Sequence, residues 1–89
     1  MNELYFIRRK RGNYLTLRIE FGKVKSKYLL RFTEGEIKPL SKYESYPSET
    51  LYQNEQEMLK KVLKMRAQLT EERWMVKPRG LNRNMSIEQ

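Results

Sequence analysis

From Tyr14 to Phe21 the chain alternates without a break, Leu15, Leu17, Ile19 and Phe21 falling on one side and Tyr14, Thr16, Arg18 and Glu20 on the other. A period of two marks a half-buried β-strand, because successive strand side chains point to opposite faces. Gly22 and Lys23 follow, and Gly in the first position of a two-residue loop suits a type II′ hairpin turn. A second strand is therefore expected from Val24 to about Phe32. With Phe21 opposite Val24, Ile19 faces Ser26, Leu17 faces Tyr28 and Leu15 faces Leu30, which puts the apolar residues of both strands on one side. The other side pairs Glu20 with Lys25, Arg18 with Lys27, Thr16 with Leu29 and Tyr14 with Arg31. Only Leu29 is out of pattern.

An earlier strand, about Leu4 to Arg11, joins through a turn at Gly12 and Asn13, two residues tolerant of positive φ. Setting Arg11 opposite Tyr14 brings Leu4 and Phe6 beside Phe21 and Ile19, with Tyr5, Ile7, Arg9 and Arg11 on the polar side. Residues 34 to 47 read as a connector that has room for a short fourth strand at Glu36 to Leu40. Tyr43 and Tyr46 within it either cover the edge of a small core or stack on bases.

Pro47 with Ser48 or Thr50 supplies a helix start, and Glu49, Glu55 and Glu57 lie towards its positive dipole end. Leu51, Met58, Val62, Met65 and Leu69 form an apolar stripe that should cover the sheet. A helix from Ser48 to about Trp74 would span roughly 39 Å, against about 27 Å for an eight-residue strand. The overhanging end either meets a second copy of the chain to make a homodimer, or frays or bends. The expected fold is thus α+β: a three-stranded, or four-stranded, antiparallel meander packed on one long C-terminal helix. Residues 1–74 would form this single β-β-β-α domain, and 75–89, with Lys77, Arg79 and Arg83, an extended or disordered basic tail.

Charge is segregated along the chain. The first 33 residues carry nine Lys or Arg against two Glu, and the net +8 divides into +7 for these, −1 for residues 34–76 and +2 for the remainder. On the expected meander, Arg9, Arg11, Arg18, Lys25, Lys27 and Arg31 gather around Tyr14 with Glu20 as the one acidic neighbour. Such a face can be a solvated outer surface that discourages aggregation. It is also a device for lying against a polyanion while the opposite face builds the core.

Other function classes have little to work with. The chain has no His, Cys or Asp, so no common metal-ligand spacing can be written and acid-base chemistry would fall to Glu, Tyr or Lys. The close carboxylate pairs, Glu34 with Glu36, Glu55 with Glu57 and Glu71 with Glu72, each have an ordinary place in a turn or on a helix. Gly12, Gly22, Gly35 and Gly80 are isolated and make no phosphate-cradling loop. A protein that is not an enzyme, with no metal and no cofactor, is expected. The absence of cysteine fits a reducing interior, and no apolar run reaches the ~20 residues of a membrane span, so the expectation is a cytoplasmic protein with no membrane partner.

The stretch FIRRKRGNYLTLRIEFGKVKSKYLLRF followed by an amphipathic helix resembles the arm-site DNA-binding domain at the amino terminus of tyrosine integrases, and is similar to the opening segment of some transposases. The likeness covers about residues 4 to 70. In that family the sheet enters the major groove, which by analogy implies contacts from Arg9, Arg11, Tyr14, Arg18, Lys25, Lys27 and Arg31. Two departures stand out: the connector and helix are longer than in that module, and no recombinase domain follows. The resemblance implies a small stand-alone accessory or regulatory binder of duplex DNA, of phage or mobile-element origin. The alternative is an interaction or inhibitor protein whose basic sheet docks on an acidic protein surface. RNA is a third target, with Tyr5 and Tyr14 as a stacking platform.

Overall fold

Two long antiparallel hairpins that share their middle strand organise the molecule. The computed structural model describes residues 1–76, and the rest of the expected tail, 77–89, lies outside them. In chain order the elements are β1 (Asn2–Lys10), β2 (Asn13–Val24), β3 (Lys27–Lys38), β4 (Ser41–Glu44), β5 (Ser48–Tyr52), α1 (Glu55–Glu71) and β6 (Met75–Val76). The fold is antiparallel α+β. It differs from the expected one in carrying a six-stranded sheet, ordered β4-β3-β2-β1-β6 with β5 also paired to β3, and a short helix.

The β1–β2 turn is Arg11–Gly12, with φ of 47° and 85°, the two positive values a type I′ turn requires. Lys10 therefore pairs with Asn13, and Phe6 with Leu17, two residues away from the register that a Gly12–Asn13 turn would give. The β2–β3 turn lies at Lys25–Ser26, with Lys25 at φ 60°, and not at Gly22–Lys23. Gly22 is inside β2, and its lack of a side chain serves packing: a Cβ there would lie 3.3 Å from the Met1 Cα. The observed register pairs Phe21 with Leu30, Ile19 with Phe32 and Glu20 with Arg31. The earlier turn would have set Arg18 directly opposite Lys27, a destabilising like-charge pair, and Ile19 opposite Ser26.

β3 continues past Phe32 to Lys38, and the Pro39–Leu40 turn returns the chain along its free edge as β4. Pairing lapses after Gly35–Glu44 and resumes at Phe32–Ser48, so Ser45, Tyr46 and Pro47 stand against Thr33 and Glu34. This is a bulge of one extra residue, with Pro47 at a place where a missing N–H is tolerated. Ser45 N–H, 2.8 Å from the Glu34 carbonyl oxygen, holds the edge together there.

Ser48–Tyr52, expected as the first turns of the helix, is strand β5. Thr50 and Tyr52 suit a strand better than a helix, and a stronger cap lies downstream. The Asn54 Oδ1 accepts from Glu57 N–H at 2.9 Å, and Glu55 and Glu57 occupy the positive first turn. The helix ends in a Schellman arrangement, in which Trp74 N–H donates to Leu69 O and Arg73 N–H to Thr70 O, with Arg73 left-handed at φ 70°. At 17 residues α1 spans about 26 Å, less than the roughly 40 Å of the twelve-residue strands. No end overhangs, so the geometric ground for a helix-mediated homodimer is removed.

One face of the sheet meets α1. Phe6, Leu17, Ile19, Leu30, Met58, Val62 and Leu69 are buried together, flanked by half-buried Leu4, Phe21, Tyr28, Phe32, Tyr52, Met65 and Trp74. The expected core residues Leu17, Ile19 and Leu30 are in place, and Leu15 is only half-buried. Truncating Leu17 or Met58 to Ala should lower stability by about 2 to 5 kcal/mol, from lost transfer energy and a residual cavity. Urea denaturation measures this, and an unshifted midpoint for either variant would remove that residue from the core.

Candidate nucleic-acid interface

On the sheet face away from α1, cross-strand register lines up charges in rows. One row runs Glu3, Glu20, Arg31, Glu49 across β1, β2, β3 and β5, and the next begins Tyr5, Arg18, Thr33. Arg18 is clamped between two carboxylates: its Nε is 3.0 Å from Glu3 and its Nη2 3.1 Å from Glu44. That Nε is sealed from solvent without hydrogen-bond geometry, so it is compensated by the charge of Glu3. The guanidinium also lies 5.7 Å from the centre of the Tyr5 ring. Arg31 is held in the same way, with its Nε 2.7 Å from Glu49 and its Nη1 3.6 Å from Glu20. The Glu49 hydrogen bond raises the Arg31 pKa above its ordinary value, the charges of Glu49 and Glu20 adding and desolvation opposing.

Expected site residues consequently part company. Arg18 and Arg31, the two central cations, are engaged by four glutamates, of which only Glu20 was expected on this face. The bulge brings Glu44 and Glu49 to the same side despite their odd spacing, and β1 begins early enough to include Glu3. Lys25 sits in the β2–β3 turn and Lys27 is paired with Val24 at that end of the sheet. Arg9 and Tyr14 face each other at the opposite end, and Arg11 lies in the adjacent turn. Ten residue steps along β2 lead from Tyr14 to Val24, about 34 Å at 3.4 Å per residue. The seven residues do not form one patch.

What gathers instead is a cationic end. The row Arg9, Tyr14, Ile37, Lys42 spans β1 to β4 on the face away from α1, and the terminal row Lys10, Asn13, Lys38, Ser41 lies on the other face. With Arg8 and Arg11 this makes six exposed cations around the β1–β2 and β3–β4 turns. Arg8 also lies 6.0 Å from the Trp74 ring centre. Glu36 is the nearby anion, and its Oε2 accepts from the Asn13 amide at 3.0 Å. Lys38 and Lys42 fall outside the expected site because they lie in the segment expected as a connector, which is instead the β3–β4 hairpin; the alternation Lys42, Tyr43, Glu44 after Pro39–Leu40 is the sequence signal that points to them.

Gly35 has a structural role at the middle of this face. A Cβ on it would come within 2.6 Å of both Thr16 Oγ1 and the Tyr43 carbonyl oxygen, so Thr16 is buried by packing over bare backbone. Among the described residues no group of three or more His, Cys, Asp or Glu side chains could hold a metal ion. No helix among them is long and apolar enough to cross a membrane. No family model matches the chain, and no curated protein or solved structure was found similar to it.

Because Arg18 separates Glu3 from Glu44, Arg18→Ala should destabilise the fold by about 1 to 2 kcal/mol, the sum of two part-exposed ion pairs and the repulsion left behind. Arg18→Lys should recover only part, since an ammonium cannot span both carboxylates as the planar fork does. Equal stability of wild type and Arg18→Ala in urea would contradict the clamp.

Proposed function

We propose that this protein is a non-catalytic nucleic-acid-binding accessory protein that contacts phosphates through the cationic end of its sheet. The observation that carries this reading is the convergence of Arg8, Arg9, Lys10, Arg11, Lys38 and Lys42 at one end, all exposed. Opposed glutamates neutralise the centre of the sheet but not this end. Tyr14, 41% exposed between Arg9 and Ile37, adds a flat apolar surface within the cationic row. Arginines in the hairpin tip give a planar fork suited to phosphate oxygens, and lysines add charge at adjustable reach. Phosphate contact of this kind serves duplex DNA, the target suggested by the resemblance to integrase arm-site domains, and single strands alike.

One observation favours a second reading, docking on an acidic protein surface. Leu40, in the β3–β4 turn between Lys38 and Lys42, is 99% exposed, and Tyr46, in the bulge further along the same edge, is 97% exposed; exposed apolar anchors on an edge that carries cations suit a protein partner.

Salt titration separates the two. Six neutralised phosphates should give a slope of log K against log salt of about −5 on duplex DNA and about −4 on a single strand. The double variant Arg9→Glu, Arg11→Glu should lower affinity roughly 100-fold or more at about 50 mM salt, while Lys25→Glu, Lys27→Glu at the far end should leave it nearly unchanged. Equal losses from both pairs would overturn the assignment to this end of the sheet, and no nucleic-acid binding by wild type at that salt would overturn the nucleic-acid reading itself and leave the protein partner.

A further inference from the structure

The short helix leaves part of its own face of the sheet uncovered. Beyond its last turn lies a cleft of about 300 Å³ lined by Leu15, Leu17, Glu34, Glu36, Tyr43 and Trp74. Register places the first five on this face: Leu17 is opposite Glu34, Leu15 opposite Glu36, and Glu36 opposite Tyr43. Trp74 is delivered by the Schellman turn that ends α1 and packs at the margin of the core. The Asn13 amide fixes one oxygen of Glu36 at 3.0 Å and so orients that carboxylate.

We propose that this cleft takes an unpaired guanine base from a single-stranded segment, an inference that rests on the nucleic-acid reading above. Two aromatic side chains over an aliphatic floor suit a flat heterocycle, and the volume accommodates a base with its sugar. The carboxylates select among bases, because they only accept hydrogen bonds. Guanine presents two adjacent donors, N1–H and the 2-amino group, to a single carboxylate. Adenine and cytosine place a ring acceptor beside their amino group, which would face the carboxylate with repulsion. Thymine and uracil offer one donor between two acceptors. Phosphates, repelled by Glu34 and Glu36, would stay at the rim, where Arg8, Lys10 and Lys38 lie on the same face.

Trp74 is the single tryptophan of the chain, so its fluorescence reports on the cleft. The experiment titrates the protein with single-stranded oligothymidylate carrying one central guanine, with the same strand carrying inosine, and with the all-thymine strand. The guanine strand should quench Trp74 and bind about tenfold tighter than the all-thymine strand, with inosine, which lacks the 2-amino donor, in between. Tyr43→Ala, at a side chain 64% exposed and therefore dispensable for folding, should weaken guanine-strand binding by roughly 5- to 100-fold. Glu34→Gln with Glu36→Gln should abolish the guanine preference while leaving all-thymine affinity no weaker. Equal affinities with unchanged fluorescence would overturn the cleft assignment and leave the cationic end standing. No binding of any strand at about 50 mM salt would overturn both.

Discussion

The register between β2 and β3 governs the rest of the molecule. Eleven cross-strand pairs run from Tyr14–Ile37 to Val24–Lys27, closed by a turn at Lys25–Ser26. That register places Glu20 beside Arg31 and Arg18 beside Thr33, and the flanking strands then bring Glu3, Glu44 and Glu49 to the same two arginines. Individually, ion pairs so open to solvent add little to stability. Their joint effect on charge distribution is larger than their effect on stability, because they neutralise the middle of a strongly basic sheet and confine its uncompensated cations to the two ends.

A second device, the bulge at Ser45–Pro47, links edge pairing to the helix. By inserting one residue it lets β4 and β5 continue along the same edge of β3 while turning Glu44 and Glu49 to one side. β5 also takes up five residues that would otherwise lengthen α1. A helix of 17 residues covers one end of the sheet, seals Met58, Val62 and Leu69 against Phe6, Ile19 and Leu30, and leaves Leu15 half-open at the other end. The uncovered cleft and the cationic end are therefore neighbours for one reason: both lie where the helix stops.

Which side of the first three strands faces the core was legible in the sequence, although both hairpin turns lie elsewhere than expected. The turn at Gly12–Asn13 was wrong by two residues in pairing and that at Gly22–Lys23 by six, both even, so Phe6, Leu17, Ile19 and Leu30 kept their side. Glycine is not a dependable turn signal in this chain: Gly22 and Gly35 are needed for close packing against Met1 and Thr16, while Lys25 takes the positive φ of the turn itself. The lower part of the helical stripe, Met58 to Leu69, was legible from its spacing. The strand at Ser48–Tyr52 was not, because Pro47 and Ser48 imitate a helix start and its pairing with β3 is set by a residue 18 positions away, Arg31 with Glu49. For the same reason the six cations expected on one face are divided: alternation shows which residues share a face, but only tertiary register shows that Arg18 and Arg31 have carboxylates alongside.

The account turns on the central arginines being held by glutamates while the hairpin end remains available for phosphate. Chemical-shift mapping during titration with a single-stranded oligonucleotide tests this most directly. The account predicts the largest shifts at the backbone amides of residues 8–14, Lys38 and 40–42 and little change at the Nε–H signals of Arg18 and Arg31. Shifts centred on Arg18 and Arg31, with residues 8–14 undisturbed, would contradict it.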